Sequence, residues 1–308
     1  MSYPPPCQTS SSAEDLAQFF SPSTHWDSPW YTSNSPIPPQ VQSNRHVTYC
    51  TSRRTLGPHV TLCTGVAFSD LSVCWYTVDF STNKDPNNTS LAKRSARYIG
   101  RPRALDRAAL VEAHETYGET IAAFAESFLG TGEYCARGEC WDLANQALKY
   151  FDDFDYVPKP VPSLSRTHGH LIFEGRADGK GRTRGRWRGG DDRVRRGDIV
   201  EWRTVTINVV GARAHSWVTL GVPDHTAVVV RDSEPSVVPV DGGALSPAEL
   251  GTLEVVEQSV GSPPDRKTYD LAAMEKGEMW IYRPIGLQAY VGTLFEATCP
   301  AGVRATEI

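Results

Sequence analysis

The sequence has no run approaching the ~18 apolar residues that a membrane-spanning helix needs, and its start, Met1-Ser2-Tyr3-Pro4-Pro5-Pro6, carries neither a basic cluster nor an apolar stretch. A secretory leader and a membrane span are therefore not expected, and the chain reads as soluble and cytoplasmic. An excess of positive charge is also missing: 31 Lys and Arg stand against 36 Asp and Glu, a net charge of −5. That balance gives no reason to expect nucleic acid or an acidic membrane surface as a partner. Cysteines are few, odd in number and scattered, with seven in 308 residues. Such a pattern argues for free thiols over a disulfide framework. Without a leader, the overlapping sequons at Asn87 and Asn88 read as chance matches.

What is present is a hydrophobic fraction of 40%, enough for a real core in part of the chain. Residues 1–45 are rich in Pro, Ser, Thr and Gln with few aliphatics, and a disordered tail is expected there. Within it, Pro36-Ile37-Pro38-Pro39 has the spacing of a polyproline ligand, a pattern common in any proline-rich tail. Residues 46–99 have no assigned role. Their alternation over Val47–Cys50, Val60–Cys63 and Val73–Phe80 is compatible with short strands.

From Asp106, a plausible N-cap, the stripe Leu110, His114, Tyr117, Ile121, Phe124 and Phe128 predicts one long amphipathic helix ending at Gly130 and interrupted only by Gly118. A second helix starts near Cys140, with Trp141, Ala144, Leu148 and Phe151 on one face, and the prolines of Asp152–Pro162 end it. Beyond, the period falls to two. Gly197–Val210, Asp224–Arg231, Thr252–Val260 and Glu278–Arg283 read as strands of an antiparallel sheet. Helices followed by strands give an α+β domain over residues 100–290, its N-terminal helices packed on the sheet, with residues 291–308 as a C-terminal tail.

Three residues in this order suit thiol chemistry. Cys140 stands in the first turn of its helix, where free N–H groups and the helix dipole favour a thiolate and a developing oxyanion. His225 opens the run Asp224-His225-Thr226-Ala227-Val228-Val229-Val230, so an imidazole at the mouth of a strand can exchange a proton with the thiol. Period two puts Glu257 on one face with Leu253 and Val255, free to orient that imidazole, and turns Gln258 to the other face. Cys135, Cys140, His168 and His170 superficially resemble a zinc set, but their spacing fits a structural finger poorly, and no metal or cofactor is indicated. The arginines between Arg176 and Arg196 are interleaved with Asp191 and Asp192, and the stretch reads as a solvated loop at the rim of the site.

Cys140-Trp141-Asp142-Leu143-Ala144, Arg196-Gly197-Asp198-Ile199-Val200, Asp224-His225-Thr226-Ala227-Val228-Val229 and Val256-Glu257-Gln258 together resemble the papain-like superfamily of CHAP and NlpC type. With Tyr269-Asp270-Leu271 and Gly277-Glu278-Met279-Trp280-Ile281-Tyr282-Arg283-Pro284, the chain resembles more closely the cysteine-proteinase-fold domain of fungal cortical-actin-patch adaptor proteins, which bind myosin tails. The resemblance implies a papain-like fold with Cys140 as nucleophile, His225 as base and Glu257 as orienting acid. Many CHAP members have Asn two residues after that acid, and Ser259 stands there instead. Two functions follow as expectations. One is a thiol hydrolase acting on a peptide or acyl-amide substrate; the other is a non-catalytic interaction domain whose partners are cortical actin-patch proteins.

Overall fold

Apolar residues alternating along residues 47–99 and again beyond residue 170 build two antiparallel sheets, each coated by helices from the segment before it. The structure, a computed structural model, describes residues 11–42, 47–164, 167–208, 217–286 and 296–308. The chain divides into two units: Met1–Pro102 with Leu164–Arg166 and Gln288–Ile308, and Arg103–Ser163 with Thr167–Leu287.

The first unit opens with α1 (Ser12–Phe19), whose N-cap Ser11 accepts the Glu14 N–H, and a short α2 (Pro39–Gln42). Strands β1 (Val47–Leu56), β2 (His59–Phe68), β3 (Val73–Ser81) and β4 (Lys93–Ile99) follow as an antiparallel meander. The disordered tail expected over residues 1–45 is not found in residues 11–42; the remainder of it lies outside the described residues. Leu16, Phe20, Trp26, Trp30 and Tyr31 are buried in one cluster with Leu62, Val66, Tyr76 and Val78 of the sheet. Phe20 stacks on Tyr76 with ring centroids 4.3 Å apart. Aromatics replace the missing aliphatics, and each can bury on the order of 150–250 Å². Ile37 and Pro38 of the proline motif are buried in the same unit, so they are not presented as a free ligand.

In the second unit, Asp106 caps α3 (Arg107–Ala113), its Oδ1 accepting the Ala109 N–H at 2.9 Å. The long helix expected from residue 106 to 130 is broken: a π-turn over His114–Gly118 leads into α4 (Glu119–Glu126). The break coincides with a close approach. A Cβ on Gly197, itself at φ +89°, would collide with the Gly118 backbone, so both positions require glycine. After α5 (Cys140–Lys149) come β5 (His170–Asp178), β6 (Thr183–Trp187), β7 (Ile199–Asn208) and β8 (Trp217–Val229). A short α6 (Pro247–Leu250) precedes β9 (Thr252–Ser259), β10 (Ser262–Asp270) and β11 (Lys276–Arg283).

The sheet order is β10-β9-β8-β7-β11-β5-β6, and each neighbouring pair is antiparallel. Ile199, Val228, Val230 and Val256 on one face pack with Ile121, Ala122, Leu143, Ala144 and Leu148 of α4 and α5. Val200, Trp202, Ala227, Val229, Leu253 and Val255 line the opposite face, in a core shared with Tyr269 and Ile281. Among the described residues, no helix is long and apolar enough to cross a membrane.

The arginine-rich stretch is not a solvated loop. It contains β6, ends that strand on the fully buried Trp187, and matches its charges: Arg182 with Asp178, Arg188 with Glu174, Arg195 with Asp191 and Arg196 with Glu119 and Glu126. Two motifs of the resemblance also meet. Arg283, fully buried, donates from Nε and Nη2 to Asp198 at 2.8 Å each and from Nη1 to Asp191.

The last strand, β12 (Thr306–Glu307), belongs to the first unit and pairs with β4. Ile308 continues the contact by donating its N–H to the Ala96 carbonyl at 3.0 Å. Residues 296–308 are thus part of a sheet-bearing unit instead of the expected tail.

Candidate active site

Cys140 is the first residue of α5. The turn before it is held from two sides. Asp142, buried within the first turn, accepts the N–H groups of Arg137 at 3.0 Å and Glu139 at 3.3 Å. From the sheet, the Gln258 side chain accepts the Cys135 N–H at 2.9 Å and donates to the carbonyls of Cys135 at 3.0 Å and Glu139 at 2.9 Å. The Asp142 N–H is taken by the Glu139 carbonyl at 3.0 Å, and the positive end of the α5 dipole, where Cys140 stands, favours negative charge.

His225 does not open its strand, as the sequence suggests, but lies inside β8 after an irregularity. The ladder shifts between Arg203 and Val205, leaving Gly221, Val222 and Pro223 out of register and restarting at Arg203↔Asp224 and Trp202↔His225. Such a bulge re-aims the side chains that follow it. The Asp224 carbonyl oxygen sits 4.0 Å from Cys140 Sγ, which puts the next residue, His225, beside the thiol. The Asp224 carboxylate is paired across the ladder with Arg203, Nε to Oδ1 at 3.5 Å.

Glu257 approaches the imidazole from β9, its Oε2 lying 3.0 Å from His225 Nε2. Burial disfavours charge on His225. Hydrogen bonds with Cys140 and Glu257, and the charges of both, outweigh burial and raise the imidazole from 6.5 to about 10. The other Glu257 oxygen, Oε1, accepts the Tyr269 hydroxyl at 2.7 Å. Tyr269 is buried, and burial, followed by the nearby Glu257 charge, holds its phenol well above the usual range. The structure thus brings Cys140, His225 and Glu257 together. Ser259 is exposed at the end of β9.

Sequence reasoning gave no role to Tyr269, although it stands in the closing motif, because a contact from a neighbouring strand leaves no mark in local spacing. Gln258 was visible as turned to the other face, but not its target. A second polar cluster also went unseen. Ser163 Oγ lies 2.8 Å from His168 Nδ1, His168 Nε2 lies 3.3 Å from Glu201 Oε2, and that oxygen accepts the Thr226 hydroxyl at 2.7 Å. It has the order of a Ser-His-acid triad, yet the four residues are at most 7% exposed and give a substrate no access. His170, the remaining histidine of the zinc-like set, accepts the Leu105 N–H at 3.4 Å. Among the described residues, no group of three His, Cys, Asp or Glu side chains is arranged to hold a metal ion.

Among known proteins, no solved structure matches the chain. The curated protein named Altered inheritance of mitochondria protein 3, from Debaryomyces hansenii, is 24% identical over 202 residues. That match takes in 62% of this chain and 19% of the relative, so the chain spans less than a fifth of the longer protein. Residues 95–295, which carry α3 to α6, the seven-stranded sheet and the cluster around Cys140, match the AIM3/BBC1 cysteine proteinase-fold domain, and the chain belongs to that family.

Proposed function

We propose that the chain is a thiol hydrolase, a peptidase or amidase with a papain-like core of CHAP and NlpC type, in which Cys140, His225 and Glu257 act together. The observation that carries this reading is the 3.0 Å contact between His225 Nε2 and Glu257 Oε2, which leaves Nδ1 to serve the thiol beside it. Cys140 attacks the acyl carbon as thiolate, and the α5 amides stabilise the oxyanion. The His225 imidazolium gives its proton to the departing amine as the C–N bond breaks, leaving a thioester. Water then attacks the thioester, His225 takes a proton from it, and the acid is released with the thiolate restored. Glu257 keeps the ring oriented and balances its charge throughout.

Iodoacetamide labelling of the full chain, read by peptide mass spectrometry across pH, tests the reading. Cys140 should react fast below neutral pH, outpacing the other cysteines, and turnover found in a peptide and acyl-amide screen should vanish in Cys140→Ala. Labelling of Cys140 at the pace of the other cysteines would refute it.

A second reading is a non-catalytic interaction domain, with cortical actin-patch proteins as partners in the cytoplasm. It is favoured by the relative of which this match is only 19%, where the domain is a minor part of a longer chain. Unreactive Cys140 together with capture of actin-patch components at moderate salt would support it, and capture unchanged by surface substitutions would count against it.

A further inference from the structure

We infer that Tyr269 is the fourth member of this site, a positioning residue that fixes the Glu257 carboxylate for His225 in place of a residue two positions beyond the acid. The inference deepens the hydrolase reading and rests on it. A carboxylate bonded at one oxygen swings about its last torsion, whereas one bonded at both is held in a plane. Here Oε1 takes the Tyr269 hydroxyl at 2.7 Å and Oε2 takes the imidazole at 3.0 Å, so the two bonds divide the carboxylate between them.

The tyrosine is itself held. It comes from β10, is 1% exposed, and packs edge-on against Trp202 with centroids 5.7 Å apart. Trp202 is the residue directly opposite His225 on β7, so the ring that orients the acid leans on the strand that faces the base. Ser259, where many CHAP enzymes have Asn, is exposed and too short to take this part. The charged groups facing the imidazole are Cys140 from α5, Glu257 from β9 and, next to it on β8, Asp224 paired with Arg203 of β7. Tyr269 acts on that set through Glu257 alone.

Tyr269→Phe keeps the ring and removes the hydroxyl. Cys140 labelling by iodoacetamide in the full chain should slow about tenfold at pH 6, the scale of one lost hydrogen bond to a charged acceptor, and stay near wild type at pH 9. The same substitution in a Glu257→Gln background should add nothing, since the two act in one chain of contacts. A ¹⁵N titration of His225 in Tyr269→Phe gives a readout independent of the thiol and should depart from wild type. A reactive wild-type Cys140 with Tyr269→Phe profiles unchanged would overturn the role of Tyr269 alone. So would a full effect that persists in Glu257→Gln. Reference-like labelling of wild-type Cys140 would overturn the hydrolase reading and this inference with it.

Discussion

Glu257 and Gln258 are consecutive on β9 and face opposite sides of the sheet, the first bonded to the His225 imidazole and the second to the backbone on which Cys140 is mounted. One strand therefore sets the register of both groups, and a one-residue slip would exchange them. Gln258 is 1% exposed and satisfies three backbone groups. Gln258→Ala should cost on the order of 3 kcal/mol in urea denaturation, because those groups stay buried without partners. Gln258→Glu, nearly the same shape, puts a carboxylate oxygen against two carbonyls, and its loss should shrink as pH falls and the acid protonates.

Two buried histidines should give stability opposite slopes on either side of pH 6.5. His225 is raised to about 10, so its contribution is complete below the unfolded value of 6.5 and is lost as pH climbs through about 10. Burial, reinforced by the Arg283 charge, lowers His170 to about 4. The unfolded chain then binds the extra proton between 6.5 and 4, and stability falls as pH drops through that window. Denaturation midpoints across pH should show both limbs, with His225→Ala flattening the alkaline one and His170→Gln the acid one.

Removing Arg283 leaves Asp198 in the core without a guanidinium partner, while Asp191 keeps Arg195. Arg283→Met should therefore cost about 3–5 kcal/mol, the penalty for uncompensated buried charge. The triple variant with Asp191→Asn and Asp198→Asn should recover part of that loss in the same assay.

Glycine matters at Gly197 for two reasons and at Gly130 for one. Both have positive φ, but a Cβ meets the Gly118 backbone at Gly197 and open space at Gly130. Gly130→Ala should cost about 1 kcal/mol and Gly197→Ala over about 3 kcal/mol, a contrast that thermal unfolding would register.

Trp30→Ala should destabilise the first unit by about 3–5 kcal/mol. Limited proteolysis reads the same packing: residues 11–42 should resist cleavage in wild type and become susceptible in the variant.

Runs of β-branched and aromatic residues bounded by turn residues made β7, β8, β9 and β11 legible, and a 3.6-residue stripe did so for α5, because burial in a core selects such patterns even where, as in β7, both faces are covered. The order of Cys140, His225 and Glu257 was legible for the same reason. Contacts between distant segments were not. Tyr269 to Glu257 and Arg283 to Asp198 are set by strand order, and adjacency in a sheet is not written in local spacing. Residues 11–42 are poor in aliphatics yet ordered, because their burial comes from Phe20, Trp26, Trp30 and Tyr31, whose area aliphatic content does not register. Gly118 reads as a flaw in a helix, but a Cβ there would meet the His114 ring and the Arg196 carbonyl, the latter from a segment far along the chain.

The pairing of β12 with β4 has a consequence for the order in which the chain is made. During synthesis β4 leaves the ribosome before β5 to β11, all of which must emerge before Thr306 and Glu307 exist to cover it. The β4 edge of the nascent first sheet therefore stays bare while the second unit is made, until Thr306 and Glu307 pair with it.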